Sequence, residues 1–401
     1  MRTYDKKYER ICTISLFLLI PLSGLATDIF LPSFPEMQEV FGTDSKGIQM
    51  TLSCFLISYG VSLLAAGSLV DSFGRYKLVL ASLVLFSISS FAIALVHNIY
   101  FIYGMRIIQG VTTAFIVVGK RAFLVDIYQG KKLQHYMGML TIIWSMAPIS
   151  APFIGGYLQK GFGWTSSFYF LGAYALVMLL IEWFFSGEAF TDLKPFKRKH
   201  IAETYRTVLR APDFSMGLVV LGLTYGMVMS FAMSAPFIVE NHFGFSPVVT
   251  GYCALISGFG IMSGGILGRS LSTLPFLKKL FFGVGMEILV GLLMFGTGKF
   301  VSNIYVFVGF IYLLHLFNGF LYTVYFTYCL TRFPEYAGVT NGLTSGASYL
   351  VTSVASYTVV SLLHITNQSG MALSYLLLSL TILSLLFFLR NKVKKRPLAR
   401  G

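Results

Sequence analysis

Residues 67–77 read GSLVDSFGRYK. This stretch holds an aspartate, an arginine and a lysine within seven residues, and it lies between two long apolar runs. Runs of about 20 apolar residues are long enough to cross the hydrocarbon core of a bilayer as helices. Charged side chains are costly inside that core. The stretch is therefore predicted to be a short turn outside the membrane that joins two membrane-spanning helices.

The whole chain has the composition of a membrane protein. Of its 401 residues, 56% are hydrophobic and 11% are charged, whereas soluble domains carry about 25% charged residues. Twelve apolar runs predict an all-α membrane protein with twelve transmembrane helices. The predicted spans are 11–31, 47–70, 78–96, 101–120, 136–158, 165–185, 214–238, 248–268, 280–298, 304–328, 339–363 and 370–390.

The distribution of charge predicts the domain organisation and the orientation. A polar gap divides the chain into a six-helix half at 1–185, a cytoplasmic linker at 186–213 and a second six-helix half at 214–401. Nearly all of the 30 lysine and arginine residues lie at the N-terminus, in the even-numbered loops or in the C-terminal tail. Such residues favour the cytoplasmic side. Both termini are therefore predicted to be cytoplasmic, and the net charge of +14 needs no nucleic acid to explain it.

The residues of the charged turn have distinct predicted tasks. Gly67 is expected to let two helices approach closely, and Gly74 to end a helix in the left-handed conformation. Arg75 and Lys77 mark the cytoplasmic face. Asp71 adds negative charge at the C-terminal end of a helix, where the helix dipole opposes it. We therefore expect Asp71 to have a positively charged partner.

Several stretches together resemble one family of membrane proteins. The motif G-x-L-x-D-x-x-G-R-x-K resembles the loop between spans two and three of the major facilitator superfamily, RIIQG resembles its span-four element, and APISAPFIGG is similar to its antiporter motif. More narrowly, ATDIFLPSFP, KRAFLVDIY, MSAPFIVENHFGFSP and AGVTNGL look like the Bcr/CflA branch of drug:proton antiporters. The residues that carry the motifs are Gly67, Leu69, Asp71, Gly74, Arg75, Lys77, Arg106, Gln109, Gly110, Pro148, Pro152, Gly155 and Gly156.

The resemblance implies a fold of two six-helix halves and a conformational latch. In that family the motif's aspartate is thought to face the start of span eleven, here Gly338 onward, and an arginine at the inner end of span four, here Arg121. Ser72 and Tyr76 depart from the family pattern in the turn. Ala151 replaces the first glycine of the antiporter motif, whose implied role is to resist leak.

Ionisable residues within the predicted spans are the candidates for coupling to protons. Asp28 lies about three residues from the predicted outer end of span one, and Arg106 lies about five residues inside span four. Both are expected within roughly 5–10 Å of the outer edge. Burial favours the neutral form of an acid and a nearby arginine favours its charged form, which is typical of a carboxyl that gains and loses a proton. The alternative for Asp28 is a helix-end acid facing water.

Other residues are weaker candidates. Glu287 is expected to face an inner cavity. His315 and Asn318 share a helix face, and a satisfied interhelical histidine is an equal alternative. Met229, Phe231 and Met233 would form a soft apolar wall for varied ligands, with ordinary packing as the favoured alternative. Glu182 is predicted to be interfacial.

The predicted function is proton-driven export of small amphipathic or drug-like compounds by alternating access. The sequence has no phosphate-binding loop and no metal-ligand spacing, so we expect a non-enzymatic monomer that uses the proton gradient and no cofactor. Its partners are expected to be a small-molecule substrate, protons and the lipid bilayer of a cell membrane. That membrane is expected to be a bacterial inner membrane. The alternatives are an exporter of one metabolite or siderophore, proton-symport uptake, and a non-transporting sensor.

Overall fold

The computed structural model describes residues 6–187, 198–271 and 273–395, and these ranges are helical and contain no strand. The chain divides into two compact units, Met1–Lys197 (unit 1) and Arg198–Gly401 (unit 2). Within the described ranges, eleven helices are long and apolar enough to cross a membrane. The remaining predicted span, 136–158, lies inside one continuous helix, Gly130–Phe162. The predicted all-α membrane fold is confirmed.

The described part of unit 1, residues 6–187, contains eight α-helices. The first predicted span is broken at Pro21, because proline has no N–H to donate to the preceding turn, and a short 3-10 turn follows at Leu31–Ser33. The helices are α1 (Lys6–Leu19), α2 (Leu22–Asp28), α3 (Phe34–Phe41), α4 (Ser45–Phe73), α5 (Arg75–Leu95), α6 (Ile99–Ile127), α7 (Gly130–Phe162) and α8 (Thr165–Phe185).

The helices described in unit 2 number seven. A helix, α9, occupies part of the predicted linker, whose residues 188–197 lie outside the described ranges. Span seven ends in a π-helical turn at Ile238–His242. The helices are α9 (Arg198–Leu209), α10 (Pro212–Phe237), α11 (Pro247–Ser270), α12 (Phe276–Thr297), α13 (Ile304–Thr331), α14 (Ala337–Leu363) and α15 (Gln368–Lys395).

The two units share one packing pattern. In unit 1, α2 packs on α7, α4 packs on α6, and α5 packs on α8. In unit 2, the helices at the same places in the order pack in the same way: α10 on α14, α11 on α13, and α12 on α15. The internal repeat is weak in the sequence but clear in the packing. Corresponding spans can therefore be compared between the units.

The first apolar helical path is longer than the sequence predicts. It runs from Glu9 to Phe41, because Pro32 and Pro35 each occupy the first turn of a helical segment, where proline is tolerated. Asp28 is the last residue of α2, and a 3-10 turn and α3 follow it. The expected depth of Asp28 near the outer edge of the membrane stays a prediction.

Candidate functional site

A buried arginine organises the polar centre of unit 1, which we define as Asp28, Ser90, Arg106 and Gln109. Arg106 is fully buried on α6. Its Nη1 donates to the carbonyl oxygen of Ala26 at 3.0 Å and to Oε1 of Gln109 at 2.8 Å, and its Nε donates to the carbonyl oxygen of Thr51 at 3.3 Å. The guanidinium thus connects α6 to α2 and α4.

The same guanidinium is enclosed by aromatic rings. Its central carbon lies 4.3 Å from the ring centroid of Phe30 and 4.5 Å from that of Phe55. A desolvated cation over an aromatic face contributes about 2 kcal/mol. Gln109 extends the network, because its Nε2 donates to Oγ of Ser90 at 2.8 Å. The span-four motif R-x-x-Q-G therefore builds a fixed, positively charged centre.

Asp28 is the member of this centre whose hydrogen-bonding capacity is unused. Its side chain is 3% exposed, and among the described residues neither carboxyl oxygen has a hydrogen-bond partner. Arg106 interacts with it electrostatically, yet the described residues show no ion pair within 4.0 Å between the two, and Nη2 of Arg106 is also without a partner. The acid and the arginine are near each other but not locked together.

The antiporter motif packs against the segment that carries Asp28. A Cβ built on Gly155 would overlap the carbonyl group of Ile29, the residue that follows Asp28. On the other side of the contact, a Cβ on Gly24 would lie 2.7 Å from Cβ of Ala147 and 2.8 Å from Cδ of Pro148. The glycines let α2 and α7 touch backbone to backbone. The motif therefore sets the position of the Asp28 segment within unit 1.

We expect Gly155→Ala to lower the free energy of unfolding by about 1–3 kcal/mol, because the new methyl group must push the Ile29 backbone away. Thermal unfolding of the purified protein in detergent measures this. Gly161→Ala is the matched control, since it lies on the same helix and a Cβ there meets no atom within 4 Å. Equal stability of the two variants would contradict the close contact.

The charged turn forms its ion pairs inside unit 1. Arg75 pairs with Asp71 at 3.1 Å and with Asp126, and its Nη1 donates to the carbonyl oxygen of Ala122 at 2.8 Å. Asp71 was expected to pair with Arg121. In this structure its partner is Arg75, because the two lie four residues apart across the turn while Asp126 draws Arg75 toward the end of α6. The latch with span eleven stays a prediction.

The two glycines of the turn behave differently from each other. Gly74 has φ 90° and ψ 142°, a region open only to glycine, so it ends α4 without the left-handed cap that was expected. A Cβ built on Gly67 would meet no described atom within 4 Å. The predicted close approach at Gly67 is therefore not seen within its unit. Gly110 provides that approach instead, lying against the backbone of Phe55.

A second buried ion pair lies near the turn. Nζ of Lys120 on α6 pairs with Oε2 of Glu182 on α8, and Oγ of Ser15 donates to Oε1 of the same carboxylate. Glu182 is fully buried among the helices, three residues before the end of α8, and its position at the membrane interface stays a prediction. Tyr76, the departure from the family pattern, donates its hydroxyl to the carbonyl oxygen of Glu182 at 3.4 Å. The turn is thereby tied to α8.

Unit 2 has a polar centre of its own, which we define as Glu287, His315, Asn318 and Ser379. Glu287 on α12 is 1% exposed and accepts a hydrogen bond from Oγ of Ser379 on α15 at 3.2 Å. Its other oxygen, Oε1, has no hydrogen-bond partner among the described residues. Asn318 also faces the carboxyl. Glu287 is therefore buried among the helices of unit 2, and its exposure to an inner cavity stays a prediction.

His315 is held on both sides. Its Nδ1 lies 2.5 Å from Oγ of Ser257 on α11, and its Nε2 lies 2.6 Å from the hydroxyl oxygen of Tyr375 on α15. Hydroxyl groups can serve as donor or acceptor, so a neutral imidazole satisfies both contacts. The ring of Phe231 packs edge-on against it at 5.4 Å. These contacts agree with the alternative interpretation of His315, a hydrogen-bonded histidine between helices.

The expected apolar wall of span seven is part of the packing of unit 2. Met229, Phe231 and Met233 are 2%, 3% and 0% exposed, which agrees with the ordinary-packing alternative. Met227, in the same helix, has polar contacts, and its sulfur accepts a hydrogen bond from the amide of Asn318 at 3.5 Å. The same amide donates to the carbonyl oxygen of Thr224 at 2.7 Å.

Comparison with known proteins identifies the family. Residues 16–356 match the Major Facilitator Superfamily. The bicyclomycin resistance protein homolog of Haemophilus influenzae is 28% identical over 178 residues, 44% of each chain. Multidrug resistance protein D of Escherichia coli is 22% identical over 376 residues, 92% of this chain and 93% of that protein. A crystal structure of a D-xylose-proton symporter superposes with a TM-score of 0.71 at 15% identity, covering 94% of this chain and 97% of the other.

The symporter shares the helical fold of this chain, and the two resistance proteins bear the names expected for relatives of the Bcr/CflA branch. Family, fold and apolar helices agree over nearly the whole chain. The protein is thus a multi-pass membrane transporter, and it belongs to the major facilitator superfamily.

Proposed function

We propose that this transporter exports small drug-like compounds from the cytoplasm by alternating access, in exchange for protons that move inward. Asp28 carries the proposal. A buried carboxyl with two unpartnered oxygens, beside a fixed guanidinium, can hold or release a proton without breaking the network around it. Arg106 keeps its own three hydrogen bonds in either state. A proton moving down 100 mV of membrane potential supplies about 2.3 kcal/mol.

The names of two relatives support the substrate class, because one is a bicyclomycin resistance protein homolog and the other a multidrug resistance protein. The antiporter motif supports exchange, since Gly155 and Pro148 brace the segment that carries Asp28. The basic residues of the tail and even-numbered loops support an orientation with both termini in the cytoplasm, and the bacterial origin of these relatives supports an inner-membrane location.

Flux measurements in proteoliposomes test the direction of coupling. Vesicles loaded with bicyclomycin, or with the permanent cation ethidium, are placed in an acidic medium so that protons flow inward. Exchange predicts that this gradient accelerates loss of the compound from the vesicles. Symport predicts accumulation instead, and a carrier of one metabolite or a sensor would move neither compound. Vesicles treated with a protonophore and vesicles without protein are the controls.

A further inference from the structure

The polar centres of the two units are built on the same plan. In unit 1, Arg106 and Gln109 on α6 reach a carbonyl oxygen of span one and a side chain of α5. In unit 2, His315 and Asn318 lie at the same spacing on α13, and Asn318 reaches the carbonyl oxygen of Thr224 in span seven and faces α12. Each centre holds one buried acid with unused hydrogen-bonding capacity. The acid is Asp28 in unit 1 and Glu287 in unit 2.

Glu287 has no ion-pair partner among the residues that the structure describes. No lysine or arginine of the described part of unit 2 forms an ion pair with it within 4.0 Å. The helices packed against α12 are α13 and α15. They present Asn318 and His315 from α13, and Ser379 and Tyr375 from α15. The two titratable groups of this set, His315 and Tyr375, are hydrogen-bonded to each other at 2.6 Å.

These contacts decide which ligand the carboxyl can take. A buried carboxylate with one neutral hydrogen bond is costly unless its charge is neutralised. Two other buried carboxylates lie near helix ends, Glu182 in α8 and Asp213 in α10. They are neutralised by Lys120 and by Arg332, whose Nε lies 2.6 Å from Asp213. Glu287 has no such partner and is 1% exposed. A proton is the ligand that neutralises a carboxylate and needs no room.

We propose that Glu287 is a second proton-binding site, so that each unit of the transporter carries one exchangeable proton. The reaction is a simple balance, in which the carboxylate accepts one proton that enters from the water outside the membrane and becomes the carboxylic acid. The inference rests on the proposed use of a proton gradient. The inference goes beyond that proposal, because it assigns two protons to the transport cycle. The second proton binds in α12, far along the chain from the antiporter motif in α7.

Infrared difference spectroscopy of the purified full-length protein tests this without any substrate. Changing the pH should give carboxylic acid signals from two buried groups. Glu287→Gln should remove one of them, and Asp28→Asn should remove the other. The matched control is Glu335→Gln, the same substitution at an exposed glutamate of unit 2, which should keep both buried signals.

Three results would separate the possibilities. If Glu287→Gln keeps both signals, the inference is wrong while a single-proton exchanger at Asp28 stands. If the native protein gives no buried signal that titrates, both the inference and the proposed coupling fail. If Glu287→Gln does not fold, Glu287→Asp decides, because a carboxyl retained at this site should shift the frequency of one signal, and an unchanged spectrum would overturn the inference.

Discussion

Asp28→Asn is expected to reduce proton-driven transport to the level of vesicles without protein. Asparagine has nearly the shape of aspartate but cannot ionise, so the carrier would be fixed in a form equivalent to the protonated one. Substrate binding should also lose the part of its pH dependence that arises from Asp28. Both are measured with purified protein, the first as gradient-driven flux and the second as equilibrium binding of ethidium across a pH series.

The structure predicts that this variant loses function without losing stability. The carboxyl oxygens of Asp28 have no hydrogen-bond partner among the described residues, and Arg106 is held by backbone carbonyls and Gln109. Removing an incompletely paired buried charge should leave the free energy of unfolding unchanged or higher. Asp44→Asn is the matched control, because Asp44 is an exposed helix cap and asparagine caps equally well. Flux at the native rate in a well-folded Asp28→Asn variant would exclude the coupling role.

The second large effect is expected from separating Lys120 and Glu182. Lys120→Met should lower the free energy of unfolding by about 3–5 kcal/mol, because it leaves a fully buried carboxylate without its cation. Adding Glu182→Gln to that variant should restore most of the loss, since the amide can still accept the hydrogen bond from Ser15 and no charge stays buried. Denaturant titration in mixed micelles measures all four corners of this double-mutant cycle.

Lys160→Met is the control for the cycle, because it removes an exposed lysine of unit 1 with the same change of side chain and should alter stability by less than about 0.5 kcal/mol. Additive effects of Lys120→Met and Glu182→Gln would show that the two groups do not stabilise each other. The ion pair would then be an accident of proximity and not a fixed joint between α6 and α8.

Features that depend on local composition, such as the fold class and the family, could be predicted from the sequence. Hydropathy predicted the all-α membrane class, and the order of the motifs predicted the family, because both are properties of local sequence. The first span shows the limit of this approach. The predicted span ended at residue 31, whereas Pro32 and Pro35 begin new helical turns that continue the apolar path.

The contacts between helices could not be predicted, because the composition of a hydrophobic span does not tell which face meets which neighbour. Tertiary packing therefore determines the partner of Asp71, the burial of Glu182 and the absence of any described atom within 4 Å of a Cβ built on Gly67. One signal was available: Lys120 and Glu182 have opposite charges and lie near the same ends of parallel spans. Matching charges by depth would have proposed their pairing.

The Lys120–Glu182 pair also has a consequence for how the chain is made. The two residues are 62 positions apart, so at about 5–20 residues per second Lys120 is synthesised roughly 3–12 s before its partner. Until α8 arrives, the translocation machinery must hold α6 with an unpaired lysine, at a cost of up to about 3 kcal/mol. Insertion of the fourth span should therefore be complete only after the sixth has entered the membrane, and translation of unit 1 should leave an intermediate in which α6 remains accessible.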